Sequence, residues 1–224
     1  MVKKMQHRHK LTKKLPQDKI ANVFDGTLYN KLRQEQAKVN GKDLPHKYFS
    51  DACDIALGLS LDGVAPFKSR KQTAWPIILF NFNLPPEICT HLEHILCYEV
   101  IPGPKSVKDI NSFLWPLYNK LVDLTKGIKT PDLQSHEFFQ LHAYLLLAFG
   151  DIPAISKLMS MQGHNGYSPC RLCEIKGVKK PGSKVHYVPL HQVNSPYNPH
   201  NLHQEKGHQL IYLLRLSQLM LPYF

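Results

Sequence analysis

The sequence predicts an α/β protein with a mixed sheet flanked by helices, and three observations point there. Ile55–Asp62, Ala74–Phe82 and His94–Ile101 are apolar runs rich in β-branched or aromatic residues and bounded by Gly or Pro, as strands are. Val107, Ile110, Leu114, Leu117, Leu121 and Leu124 then recur at spacings of three and four, as on one face of a helix. A fourth apolar run, Leu141–Gly150, follows the helix and could complete the sheet.

Taken from the start, residues 1–19 form a basic arm. Lys3, Lys4, Arg8, Lys10, Lys13, Lys14 and Lys19 stand against Asp18 alone, so it contributes 7 − 1 = +6. Such an arm can bind phosphates, direct nuclear import or be a solvated tail. A core domain is expected over 20–160. It opens with a short helical lead-in and turns up to Pro45, where Asp25 before Gly26 is a turn or cap residue. The three runs then form a meander of consecutive strands.

Pro102-Gly103-Pro104 ends the third strand, and Ser106 with Asp109 three positions on resembles a helix start. Gly127 closes that helix. Pro116 removes a hydrogen bond inside it, which predicts a break near Trp115. Periodicity fits Leu141–Gly150 to helix or strand alike; it is assigned as a buried strand because that completes the sheet and places Asp151 at its end. Residues 161–208 form a Cys/His-containing region, and 209–224 an amphipathic helix with Leu210, Leu213 and Leu214 on one side.

Trp75 and Trp115 fall in apolar patterns and are assigned to the core, His142 is a satisfied interior group, and Cys53, Cys89 and Cys97 are buried or incidental thiols. The chain carries 28 Lys and Arg against 17 Asp and Glu, a net charge of +11, which favours an anionic partner such as nucleic acid. Five cysteines and no apolar leader argue against secretion. No run reaches the roughly 18 apolar residues of a membrane span.

Asp62 and Asp151 each follow an apolar run, Ile55-Ala-Leu-Gly-Leu-Ser-Leu and Ala143-Tyr-Leu-Leu-Leu-Ala-Phe-Gly. An ionised carboxylate in an apolar setting is costly unless a cation or donors compensate it, and two on neighbouring strand ends suit Mg²⁺ or Mn²⁺. The plainer alternatives are an Asp-Gly turn at Asp62 and a helix cap at Asp151. The order strand, strand, strand, helix, strand, helix resembles the opening of the ribonuclease H-like fold, in which the first and fourth strands are neighbours.

Five words carry a more specific likeness: Leu61-Asp-Gly-Val-Ala-Pro-Phe67, Ala74-Trp-Pro-Ile-Ile-Leu79, Asn83-Leu-Pro-Pro86, Val100-Ile-Pro-Gly-Pro-Lys105 and Gly150-Asp-Ile-Pro-Ala154. From about Phe24 to His203 the chain resembles the CACTA (En/Spm) superfamily of DNA transposases in its fungal form. The resemblance implies a DDE/D catalytic core of ribonuclease H-like fold in which three acids hold two Mg²⁺ or Mn²⁺ ions. Transposon ends and target DNA would be its partners, with a homo-oligomer or an intact transposase as further partners, and the nucleus its compartment.

By that resemblance Asp62 is the first acid and Asp151 the second. Family members carry the third acid on a late helix. Here only Glu174 and Glu205 follow Asp151, neither in such a context, so the core is expected to be incomplete at its C-terminus and inactive as it stands. The alternative is a non-catalytic DNA-binding or zinc-stabilised remnant.

Cys170-Arg-Leu-Cys173 has the spacing by which two thiolates grip one Zn²⁺, and the resemblance supports a Cys pair after the second acid. A redox pair is the competing alternative. His164, His186, His191, His200, His203 and His208 are the available completing ligands, with His200 and His203 spaced for a Cys₂His₂ site. Lys68, Arg70 and Lys71 follow the first acid and could contact DNA phosphates or serve solubility alone. Tyr167 beside Gly166 could stack on a base.

Overall fold

β-Branched and aromatic residues favour a pleated, half-buried surface, and the apolar runs form the central sheet. The structure is a computed structural model of the 224-residue chain. It describes residues 8, 20, 22–65, 73–103, 109–133, 135–161, 165–169, 177–179 and 181–187. The chain divides into two units, Met1–Phe149 and Gly150–Phe224.

In the first unit a 3₁₀ turn, Val23–Asp25, is closed by a capping box. The Asn22 side chain accepts from the Phe24 N–H at 2.8 Å, and Asp25 accepts from the Asn22 N–H at 3.0 Å, so Asp25 is the cap residue expected. Helix α1, Thr27–Leu32, follows, then a hairpin of β1, Gln36–Val39, and β2, Lys42–Lys47. The helical lead-in expected is realised in the 3₁₀ turn and α1, whereas the hairpin after it was not expected. Its turn is Asn40-Gly41 with φ of 51° and 75°, the left-handed pair that a two-residue hairpin needs.

Strands β3, Ile55–Leu61, β4, Ala74–Asn81, and β5, Leu96–Pro102, form the expected antiparallel meander. Between β4 and β5 lie the short helix α2, Pro86–Cys89, and a 3₁₀ turn, Leu92–His94, so the third strand starts later than expected. Helix α3, Asn111–Lys126, packs on β1 and on strand β8, Ala143–Phe149, which pairs parallel to β3. The strand order is β5-β4-β3-β8. The hairpin of β6, Ile128–Pro131, and β7, Phe138–Leu141, sits between α3 and β8 and was not anticipated.

Helix α3 starts at Asn111, with Asp109 accepting from the Asn111 N–H at 3.0 Å and from the Ser112 hydroxyl. The break predicted at Pro116 does not occur. An interior proline costs about 3 kcal/mol, and Leu114 and Leu117, both buried on either side of it, supply compensating packing. Gly127 closes the helix at φ 99°. Trp75 is in the core, whereas Trp115 is only half-buried and stacks on Tyr118 at 5.5 Å. Cys89 is buried; Cys53 and Cys97 are exposed.

Arg8, the described residue of the basic arm, is structural. Arg8 is 1% exposed, donates to the Tyr29 hydroxyl at 3.1 Å and to the carbonyls of Phe49, Asp51 and Ala52, and lies over the Phe49 ring. The solvated-tail alternative therefore does not hold at this position. A guanidinium has five donors in a fixed fork and suits a cradle of carbonyls.

In the second unit Asp151 caps helix α4, Ile152–Leu158, and β9, Val178–Lys179, pairs with β10, His186–Tyr187. Among the described residues no helix is long and apolar enough to cross a membrane.

Candidate metal-binding acids at the sheet end

Strand β3 is buried along almost its whole length, and Asp62 is the first residue beyond it. Its neighbours remain in register with β4. Leu61 pairs with Ile77, and beyond the break Val64 and Ala74 exchange two hydrogen bonds of 2.8 Å. Asp62 thus lies opposite Pro76, and Gly63 opposite Trp75. A β-carbon on Gly63 would come within 2.8 Å of the Trp75 indole, so the ring lies directly over that glycine. Asp62 itself is exposed, and its carboxylate has no hydrogen bond or ion pair among the described residues.

Asp151 follows β8 by two residues and is also exposed. Its Oδ1 accepts the Ala154 N–H at 2.7 Å, the side-chain cap of α4. The capping alternative is realised, and Oδ2 carries no hydrogen bond among the described residues. The expectation of carboxylates in an apolar setting needs correction: the strands are apolar, but both acids have reached solvent. Replacing the cap by Asp151→Ala should cost about 1 kcal/mol of stability, and Asp151→Asn should cost almost none because Asn caps equally well. Thermal unfolding of the two variants distinguishes them.

The register relates the two positions along the chain. Ser60 pairs with Phe149 in the parallel ladder, and Asp62 and Asp151 each come two residues later.

The start of the same strands carries a polar cluster that was not anticipated as a unit. Asp54 is fully buried; its Oδ1 accepts from His142 Nδ1 at 3.0 Å and its Oδ2 from the Asp51 N–H at 2.9 Å. His142 is thus the satisfied interior group expected. Its ring packs 4.2 Å from that of His46, whose Nε2 donates to the Thr125 carbonyl in the last turn of α3 at 3.1 Å. These contacts tie the β1–β2 hairpin, helix α3 and β8 together.

Beside them the Tyr144 hydroxyl is buried without a hydrogen-bond partner among the described residues. Burial, then the nearby Asp54 carboxylate, pushes its phenol well above the ordinary value of 10.0. A raised folded value contributes stability below pH 10 that is lost as the pH rises further. Because the buried hydroxyl lacks a partner, Tyr144→Phe should stabilise the protein by about 1 kcal/mol at neutral pH, and because the titrating phenol is gone it should flatten the alkaline loss, measured as urea midpoints from pH 7 to 11.

Lys68, Arg70, Lys71, Cys170, Cys173, Glu174, His200, His203, Glu205 and the 209–224 segment lie outside the described residues, as do His164, His191 and His208. His186 is half-buried, its N–H donating to the Asn165 carbonyl at 3.1 Å and its ring 5.8 Å from that of Tyr167. Among the described residues no group of three or more His, Cys, Asp or Glu is gathered to hold a metal ion.

A four-stranded mixed sheet in the order β5-β4-β3-β8, with β3 parallel to β8, defines an α/β protein consistent with the ribonuclease H-like class. The model of transposase family tnp2 matches residues 25–201, and the chain belongs to that family. Neither the curated proteins nor the solved structures compared with it gave a match. Membership makes DNA the partner class.

Proposed function

We propose that this chain derives from a CACTA-type transposase of fungal form, whose reaction is metal-dependent cleavage of DNA and transfer of the freed strand. The parallel pairing of β3 with β8 carries this reading, because it is the pairing on which a DDE/D core sets its first two acids. Asp62 and Asp151 are those acids. Both are hard oxygen donors of the kind Mg²⁺ and Mn²⁺ take, Asp62 with both oxygens uncommitted and Asp151 with Oδ2. When bound, the metal ions supply an activated water and a stabilised leaving oxygen for in-line attack on a phosphodiester.

The sequence offers only Glu174 and Glu205 as a third acid. Two aspartates by themselves bind metal weakly, and neither glutamate is assigned as the third ligand. Cys170 and Cys173 would hold Zn²⁺, with His200 and His203 as completing ligands, and Lys68, Arg70 and Lys71 would contact phosphates. The site of action would be the nucleus, as a homo-oligomer or beside an intact transposase.

The Asp151 cap favours one rival, a non-catalytic DNA-binding or zinc-stabilised remnant, since capping alone accounts for that residue. Calorimetric titration of Mn²⁺ into the wild type, Asp62→Asn and Asp151→Asn, with nicking of supercoiled DNA in the same samples, separates them. The metal reading expects binding that falls by roughly tenfold or more in each variant. DNA binding with Mn²⁺ affinity unchanged by both substitutions would establish the remnant.

A further inference from the structure

We propose that Pro76 is a positioning residue for Asp62: it holds a gap in the β3–β4 ladder opposite the acid and so keeps Asp62 out of the sheet. The inference takes Asp62 as a metal ligand from the proposed function and adds what sets its direction.

Every antiparallel pair from Leu57↔Asn81 to Leu61↔Ile77 has the same register, and Val64↔Ala74 continues it. The ladder is therefore in phase across the break, and no residue is inserted there. In such a ladder, hydrogen-bonded and non-hydrogen-bonded pairs alternate. Val64 and Ala74 exchange both their bonds. The next hydrogen-bonded pair, two residues along, is Asp62 with Pro76. Proline has no N–H, so the bond that would bind the Asp62 carbonyl to β4 cannot form. β3 ends at Leu61 for this reason, although its partner strand continues to Ala74.

A proline in a strand paired on both sides is unusual, since prolines in sheets gather at edges and bulges. β4 is such a strand, lying between β3 and β5, and Pro76 is aligned with Val100 on the β5 side. Alternation along β4 sends the Pro76 position toward β3 and its neighbours toward β5, so the missing donor falls on the side of Asp62. On the opposite face Trp75 covers Gly63, fixing the residue after the acid while the acid's own carbonyl stays unbound by β4. Asp62 is held at Leu61 and Val64, and between them its carbonyl is left without the β4 donor.

The test is Pro76→Ala in the full chain, read by hydrogen exchange, thermal unfolding and Mn²⁺ calorimetry. The restored N–H should close the ladder, slowing exchange in peptides spanning 61–64 and 73–77, with the melting temperature unchanged or raised. Mn²⁺ affinity should fall about tenfold as the acid is drawn into the sheet. A merely structural proline would lose stability and affinity together. Unchanged exchange at 61–64 would overturn the proposal, and so would slowed exchange with full affinity in a protein whose binding Asp62→Asn abolishes. If Asp62→Asn leaves wild-type binding intact, the metal reading fails instead, and the exchange result alone upholds or overturns the ladder gap.

Discussion

Asn83→Ala should lower the stability of the protein by roughly 3 kcal/mol, seen as a fall in the urea midpoint at constant slope. Asn83 is 1% exposed and bridges the start of β3. Its amide nitrogen donates to the Asp54 carbonyl at 2.8 Å, its Oδ1 accepts the Ala56 N–H at 2.9 Å, and its own N–H donates to Asn81 Oδ1 at 3.0 Å. Truncation leaves the Asp54 carbonyl and the Ala56 N–H buried without partners, at about 1–3 kcal/mol each. Asn83→Asp separates chemistry from bulk. It keeps an acceptor for Ala56 but turns a carboxylate oxygen toward the Asp54 carbonyl, so it should be at least as damaging as alanine. A mild effect of Asn83→Asp would show that side-chain volume, not the paired bonds, holds this corner. Asn83 belongs to one of the words by which the chain resembles a family, and its role there is to hold the strand that ends just before Asp62.

The central sheet was legible because its strands are long, apolar and separated by proline or glycine. The two small hairpins were not. Gln36–Val39 and Lys42–Lys47 are short, polar and mostly exposed, so they carry no apolar alternation, although Asn40-Gly41 was itself a sufficient turn signal. Ile128–Pro131 and Phe138–Leu141 are equally short, and a proline in the first weakens the strand pattern. Pro116 misled in the other direction: its propensity cost is real, but Leu114 and Leu117 pack on either side of it, and a local rule does not count tertiary contacts.

The two acids were visible from element order, since each follows a strand. What the sequence hid was non-local. Nothing in the arm marks Arg8 as different from its lysine neighbours, and its cradle of carbonyls comes from residues 49–52, about 40 positions away. Asp54 and His142 meet only because β3 and β8 lie side by side, and the opposition of Pro76 to Asp62 needs the register of a hairpin. The sheet therefore has two polar ends of different character. At the strand starts a buried, bonded network of Asp54, His142 and His46 fixes the elements; at the strand ends Asp62 is exposed and uncommitted.

Gly58→Val should cost about 3 kcal/mol or more, the largest single-residue effect expected within the strands. A β-carbon at Gly58 would lie 2.4 and 2.5 Å from the Phe82 ring and 3.1 Å from the Phe149 ring. Phe149 is in turn packed 5.3 Å from Phe80, so the aromatic layer over Gly58 is filled from both neighbouring strands. The backbone cannot yield, because β3 is paired on both sides and the Phe82 N–H is bonded to the Ala56 carbonyl at 2.9 Å. The parallel ladder also shifts register between Leu57 and Gly58, where glycine's freedom suits an irregular strand. The mechanism can be isolated by a double-mutant cycle. Gly58→Ala alone should destabilise by about 1–3 kcal/mol, and in a Phe82→Ala background the added methyl should be nearly neutral because the ring it meets is gone. Additive effects of the two substitutions would place the cost in the strand backbone instead of the aromatic layer.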